Sequence, residues 1–82
     1  MKTLNDVVID RINHYMNGPI QTQYKLAEES GVPYPTIKSI MQKRTNGITL
    51  KTIFMIARAF GVSVSEFFND NTFCYDDLDL EI

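Results

Sequence analysis

Residues 22–41 constrain the fold of this chain more than any other segment. They form two short helical patterns separated by Gly31, and glycine readily adopts the left-handed backbone that a tight turn between helices needs. Apolar residues recur at helical spacing on both sides of the glycine, so one face of each helix should be buried. The side chains that we expect to face inward are Leu26, Ala27, Val32, Ile37 and Ile40.

Two short helices joined in this way form a helix-turn-helix, in which one helix supports another that lies in the major groove of DNA. The run T-Q-x-x-L-A-x-x-x-G-V-x-x-x-T-I-x-x-I at residues 22–40 resembles the characteristic pattern of the lambda-repressor/Cro-like (XRE-type) family. A second family feature, I-A-R-A-F-G-V-S-V-S-E-F-F, stands at residues 56–68. The resemblance covers roughly residues 4–69 and implies an all-α, compact five-helix DNA-binding domain.

Charged residues are unevenly distributed along the chain. The 82 residues carry a net charge of −2, but residues 70–82 hold five acids and no base. Residues 1–69 therefore carry a net charge of +3, and no acid occurs between Glu29 and Glu66. This distribution predicts a DNA-binding domain at residues 1–69 and a short acidic tail at 70–82, although the bases would also suit an ordinary solvated surface. The bases of the acid-free stretch are Lys38, Lys43, Arg44, Lys51 and Arg58.

The pattern of apolar residues and helix-ending signals predicts five helices, at residues 4–16, 23–30, 34–42, 50–60 and 64–68. The third helix has Pro33 and Pro35 at its start, where a missing N–H costs little. The S-x-x-E run before the fifth helix predicts a capping box between Ser63 and Glu66. The residues that can cap the first, second and fourth helices are Thr3 or Asn5, Thr22 and Thr49.

The first and fourth helices should each contribute one apolar stripe to the core. Aromatic and methionine side chains are numerous near the fourth and fifth helices, but they follow helical spacing and no polar groups converge on them. This pattern favours core or interface packing over a ligand pocket, so no small-molecule ligand is predicted. The expected inward residues are Leu4, Val8, Ile12 and Tyr15 in the first helix, and Ile53, Ile56, Ala57 and Phe60 in the fourth.

The family resemblance implies roles for residues on and around the predicted helix 34–42, which we call the reading helix. Lys38 can donate to guanine O6 and N7, and Tyr34 can stack on a sugar or touch a thymine methyl. Many family members have a polar residue at the position of Pro35 and a glycine at that of Lys43. The implied base contacts are Tyr34, Pro35, Lys38 and Ser39, and the implied phosphate contacts are Gln23, Thr36, Gln42, Lys43 and Arg44.

The fifth helix and the tail carry apolar residues that a small core should not be able to cover, and an uncovered apolar patch usually marks an interface. We therefore predict a symmetric dimer, whose two reading helices would contact half-sites one DNA turn apart. The tail alternates apolar and acidic residues, which fits a strand, but its apolar spacing fits a helix equally well. The predicted dimer interface consists of Val64, Phe67, Phe68, Phe73, Leu78 and Leu80.

The sequence gives no sign of catalysis. His14 is the only histidine and Cys74 the only cysteine, so we expect no metal site, no internal disulfide and no cofactor. Cys74 is interpreted as a reduced thiol of a cytoplasmic protein. No apolar run is long enough to span a membrane, so no membrane partner is expected.

The resemblance implies a dimeric, sequence-specific transcriptional regulator of bacterial or phage type, acting as a repressor and binding double-stranded DNA. The residues themselves support DNA binding. A protein–protein component, such as an antitoxin or a regulator partner, is the alternative. In that case the acidic tail would dock on a basic surface of another protein.

Overall fold

The computed structural model describes residues 2–45, 47–70, 73 and 78–79. The five predicted helices are all present there, which confirms the all-α fold. Two strands of two residues each, one before the first helix and one in the tail, form an additional minimal pair. The elements in chain order are β1 (Lys2–Thr3), α1 (Leu4–Tyr15), α2 (Gln23–Ser30), α3 (Tyr34–Met41), α4 (Leu50–Ala59), α5 (Val64–Phe67) and β2 (Leu78–Asp79).

Hydroxyl side chains begin four of the helices, as the sequence predicts. Each accepts a hydrogen bond from the backbone N–H three residues later, which satisfies one of the free donors of the first turn. The complete reciprocal capping box lies at α1, where the Thr3 N–H also donates to Asp6 Oδ2 at 3.2 Å. At α5 the bond from Glu66 N to Ser63 Oγ is present at 3.0 Å, which is one half of the predicted box.

Left-handed residues end three helices. Gly31 follows α2 with a φ of 79°, and Gly61 follows α4 with a φ of 76°. Lys43 has the same kind of backbone after α3, with a φ of 59°. Two hydrogen bonds around Lys43 form a Schellman motif. The Lys43 N–H donates to the Ile40 carbonyl, and the Arg44 N–H donates to the Ser39 carbonyl. A lysine thus forms the type of helix end that usually takes glycine.

The core lies beneath the helix pair α2 and α3 and extends along α1 and α4. All five inward residues predicted around Gly31 are buried, and so are three of the four predicted in α4, while Phe60 is half-buried. Phe67 of α5 is fully buried among them. The core cluster is Val8, Ile9, Ile12, Ile20, Leu26, Ala27, Val32, Ile37, Ile40, Ile53, Ile56, Ala57 and Phe67.

Helix α1 is buried over a wider arc than the sequence predicts. Leu4 was expected in the core but is 41% exposed, so that prediction is wrong. Val7, Ile9 and Arg11 are buried instead, beside the expected Val8 and Ile12. At about 100° per residue these positions span roughly 200° of the helix surface. A single apolar stripe cannot describe a helix that is covered on two sides.

Arg11 is the buried base that joins α1 to α5. Its Nε donates to the Phe67 carbonyl at 2.7 Å and its Nη2 to the Glu66 carbonyl at 3.1 Å. Nη2 also donates to the Tyr15 hydroxyl at 3.0 Å, and Nη1 lies 3.4 Å from Asp70 Oδ2. The guanidinium therefore satisfies carbonyls at the end of α5, which have no partner inside so short a helix.

The tail returns to the start of the chain. Strand β2 pairs in parallel with β1, with Lys2 opposite Leu78 and Thr3 opposite Asp79. Of the two predicted alternatives for the tail, strand or helix, residues 78–79 adopt the strand, and they pair with β1 of the same chain. Leu80 and Cys74 lie outside the described residues. Over the part of the chain that is described, no helix is long and apolar enough to cross a membrane.

Candidate nucleic-acid interface

Helix α3 has one buried face and one solvent face. Ile37 and Ile40 point into the core, and this anchors the helix across its length. The residues roughly opposite them, at helical spacing, are Pro35, Lys38 and Gln42, and all three are exposed. Ser39 lies at the edge of this face and is half-buried. The solvent face therefore contains three of the four predicted base contacts.

The start of α3 is fixed by backbone contacts. Pro33 occupies the N-cap position, and its carbonyl accepts hydrogen bonds from Thr36 N at 2.9 Å and Ile37 N at 3.1 Å. No side chain caps this helix. Pro35 lies in the first turn, where an N–H would have no partner within the helix. The two prolines therefore stiffen the approach to α3 without weakening it.

Tyr34, the fourth predicted base contact, stands at the side of the solvent face and is paired with a second tyrosine. Its ring lies 5.9 Å from that of Tyr24, with the two planes at 60°. Tyr24 is 63% exposed and belongs to α2, so the pair bridges the two helices. The sequence interpretation missed Tyr24. Its one available signal is an aromatic residue directly after Gln23.

A groove of about 380 Å³ separates α3 from the start of α4. Hydroxyl groups dominate its polar lining, and the predicted contacts Pro35 and Ser39 form part of its wall. Two of the hydroxyls are fixed, because Thr45 Oγ1 donates to the Gly47 carbonyl at 2.8 Å and Thr49 Oγ1 lies 2.9 Å from Thr52 Oγ1. Hydroxyls of this kind commonly hydrogen-bond to phosphate oxygens. The lining hydroxyl residues are Thr36, Ser39, Thr45, Thr49 and Thr52.

Exposed bases lie on α3, directly after it and on α4. Lys38, Lys43 and Arg44 are all exposed, and Lys51 and Arg58 are exposed on α4. Among the described residues, ion pairing involves Lys43 alone of these five bases, through Asp6. The face around α3 therefore presents cationic groups that are open to solvent, as binding to a phosphate backbone requires.

One family model, the Cro/C1-type HTH DNA-binding domain, matches residues 11–72. The chain belongs to that family. This confirms the resemblance seen in the sequence and makes the chain a DNA-binding domain of the kind found in transcription regulators. Neither a curated protein nor a solved structure matches it.

The start of α1 contacts the segment that follows α3 in this Cro/C1-type domain. Asn5 Nδ2 donates to the Thr45 carbonyl at 3.1 Å, and Lys43 Nζ lies 3.2 Å from Asp6 Oδ1. The pKa of Asp6 lies below its ordinary value. The largest cause is the hydrogen bond from the Thr3 backbone N–H, and the next is the contact with the Lys43 ammonium. Asp6 is therefore ionised at neutral pH.

The remaining predicted contacts of the Cro/C1-type domain lie at its helix ends. Gln23 is the first residue of α2 and is half-buried, next to the capping Thr22. Arg44 is exposed just beyond the left-handed Lys43. Lys25 on α2 is paired with Glu29 at 3.0 Å, and this carboxylate raises the pKa of Lys25. Lys25 therefore contributes little free positive charge.

The predicted dimer surface is only partly available. Phe67 has no exposed surface in the chain, so its assignment to an interface is wrong. Val64, Phe68 and Phe73 are half-buried, and the Phe68 and Phe73 rings pack edge to face at 4.8 Å. Leu78 lies in β2. Two large apolar side chains of α4 are more exposed than these half-buried ones, Leu50 at 69% and Phe54 at 56%.

Proposed function

We propose that this chain is a sequence-specific transcriptional regulator that acts as a repressor, with α3 in the major groove of its operator. The observation that carries the proposal is the solvent face of α3. Lys38, Pro35 and Gln42 project from a helix whose opposite side, at Ile37 and Ile40, is fixed in the core. A rigid helix with an exposed polar face is the element that reads base edges in helix-turn-helix proteins.

Four residues would read bases. Lys38 is a donor for guanine O6 and N7, and Ser39 can donate or accept at the edge of the same face. Pro35 has no donor, so its contact would be apolar, as with a thymine methyl. Tyr34 would meet a thymine methyl or a sugar at the start of the helix, with Tyr24 packed against its ring.

Five other residues would hold the DNA backbone without regard to sequence. Four of these five residues are exposed, and Thr36 lines the hydroxyl groove, which supports this role. Lys43 is one of these phosphate-contacting residues, and its ammonium also contacts Asp6. Contacts of this kind fix the register of α3 on the duplex and make the affinity dependent on salt. The proposed phosphate contacts are Gln23, Thr36, Gln42, Lys43 and Arg44.

Two copies are part of the proposal. One α3 of eight residues covers only a few base pairs, whereas two copies related by a two-fold axis would contact half-sites about 34 Å apart. The half-buried Val64, Phe68 and Phe73 support an interface near α5. A dimer bound to a promoter would repress by occupying the site.

Selection of bound DNA from a random pool, followed by affinity measurements over a range of salt concentrations, tests the function. Lys38→Ala should cost about 1–3 kcal/mol at the best site and relax the base preference there. Arg44→Ala should weaken specific and random duplexes alike, because a phosphate contact carries no sequence information. Arg58→Ala is the charge-matched control. This exposed base lies in the last turn of α4, away from the groove at the start of that helix, so its loss should leave the ratio of specific to random affinity unchanged.

An unchanged ratio of specific to random affinity in Lys38→Ala would show that this lysine does not read a base. Absence of DNA binding by the unmodified chain at low salt would overturn the proposed function itself.

A further inference from the structure

Two contacts attach the start of α1 to the segment that follows α3. The Asn5 side chain donates to the Thr45 carbonyl at 3.1 Å, and the Asp6 carboxylate lies 3.2 Å from the Lys43 ammonium. The acid and the base are 37 positions apart in the chain, so neither the family pattern nor helical spacing predicts the pair. The contact lies beside the residues proposed to hold the DNA backbone.

Both partners of the ion pair are fixed by their own backbones. Asp6 Oδ2 accepts from the Thr3 N–H at 3.2 Å, which leaves Oδ1 for Lys43. Lys43 is held in its left-handed conformation by the Schellman bond from its N–H to the Ile40 carbonyl at 3.0 Å. The fixed backbones keep the Asp6 carboxylate and the Lys43 ammonium within reach of each other, and the Lys43 side chain itself is 65% exposed.

We propose that Asp6 is a positioning residue that holds the Lys43 ammonium in competition with DNA phosphate. This inference rests on the proposed DNA-binding function. Residues 42–44 form a clamp with two bases, Lys43 and Arg44, and among the described residues Asp6 pairs with the first of them. The free protein therefore carries its own counterion at Lys43. A phosphate that takes Lys43 releases a cation from the DNA but leaves the Asp6 carboxylate to attract one, so the net release of salt is small.

The competition has a specific signature in salt dependence. Each phosphate neutralised by a free base adds about 0.9 to the slope of log affinity against log salt. Lys43 should add little to that slope while Asp6 holds it, whereas Arg44 should add its full share. Asp6 thus lowers affinity for every sequence alike and limits binding of the domain to random DNA.

The test uses the full chain and a random-sequence duplex, with affinities measured between about 50 and 200 mM salt. Asp6→Asn should bind more tightly at low salt, and its affinity should fall about three-fold more over this range than that of the unmodified chain. The charge-matched control is Asp10→Asn, one helical turn further along α1. It should leave the slope unchanged, because Asp10 is not the acid that holds Lys43.

A double-mutant cycle separates the ion pair from a general change in charge. In a Lys43→Gln background, Asp6→Asn should lose its effect on the slope. Lys43→Gln alone should change the slope far less than Arg44→Gln, and this comparison stands even if Asp6→Asn weakens the α1 cap enough to impair folding.

The inference is overturned if Asp6→Asn has the same slope as Asp10→Asn, if its effect persists without Lys43, or if Lys43→Gln and Arg44→Gln reduce the slope equally. None of these results would affect the proposed function, which fails only if the unmodified chain does not bind DNA.

Discussion

At the scale of single residues, Lys43 has the least favourable backbone among the described residues. It is the one described residue other than glycine with a positive φ, and the left-handed region costs a side-chain-bearing residue roughly 1–2 kcal/mol. The two bonds of its Schellman motif compensate by satisfying carbonyls at the end of α3. The side chain remains useful, because it carries the ammonium paired with Asp6.

Lys43→Gly should therefore stabilise the fold, by about 0.5–1 kcal/mol after the greater freedom of glycine in the unfolded chain is counted. The matched control is Gly61→Ala at the Schellman end of α4, where φ is 76° and nothing lies near the added methyl group. It should destabilise by about 1–2 kcal/mol. Urea denaturation midpoints measure both. A Lys43→Gly chain less stable than its parent would show that the left-handed backbone carries no net strain.

At the scale of helices and strands, the sequence was informative wherever a rule acts over a few residues. Caps, glycine ends and most inward residues of α2, α3 and α4 follow from local spacing and were predicted correctly, with Phe60 half-buried and one half of the capping box at α5 present. The errors lie where burial depends on distant parts of the chain. Leu4 fits a stripe on α1, yet that helix is covered around Arg11 by the end of α5.

The candidate site divides along the same line. The solvent face of α3 could be predicted, because it is the complement of Ile37 and Ile40. The Asp6–Lys43 pair and the Tyr24–Tyr34 pair could not, because each joins two elements whose relative position only tertiary packing sets. The burial of Phe67 escaped prediction for that reason too, since the three apolar residues of the predicted helix 64–68 look alike until the fold is known.

The angle of α3 depends on the side chains beneath it. Ile40→Ala should cost about 2–5 kcal/mol, as for other large-to-small changes at buried sites, because Ile40 is 3% exposed and the neighbouring core cannot fully collapse around the cavity. This is a large part of the stability expected for a small domain. Thermal unfolding measures the loss, with Thr36→Ala on the exposed side of α3 as the control. A melting temperature close to that of the parent would exclude Ile40 from the core.

At the scale of the whole molecule, the chain closes on itself. Arg11 connects α1 to the end of α5, and β2 returns to β1, so both ends of the described chain meet near the same helix. This closure removes Phe67 from any interface and leaves Val64, Phe68 and Phe73 at the surface near α5. A second copy would have to associate with these half-buried side chains.

Sedimentation of the full chain at micromolar concentration should show a dimer. Val64→Lys should give monomers, because it adds a charge to the proposed interface, and circular dichroism checks that the fold is kept, since Val64 also packs against the core. Leu50→Lys is the control on α4, at an exposed apolar residue outside that interface. The operator obtained by selection should contain an inverted repeat. A monomeric parent chain with an operator that lacks this symmetry would contradict the dimer, and monomers of Leu50→Lys would move the interface to α4.

The contacts of the Arg11 guanidinium also have a consequence for folding during synthesis. Its partner carbonyl at Phe67 lies 56 positions further along the chain. A ribosome that adds about 5–20 residues per second synthesises Arg11 and Phe67 roughly 3–11 s apart. During that interval the first helix has an arginine on the side that will be buried and no carbonyl to receive it. The nascent chain therefore cannot complete the contacts of Arg11 until the residues of its last helix have emerged.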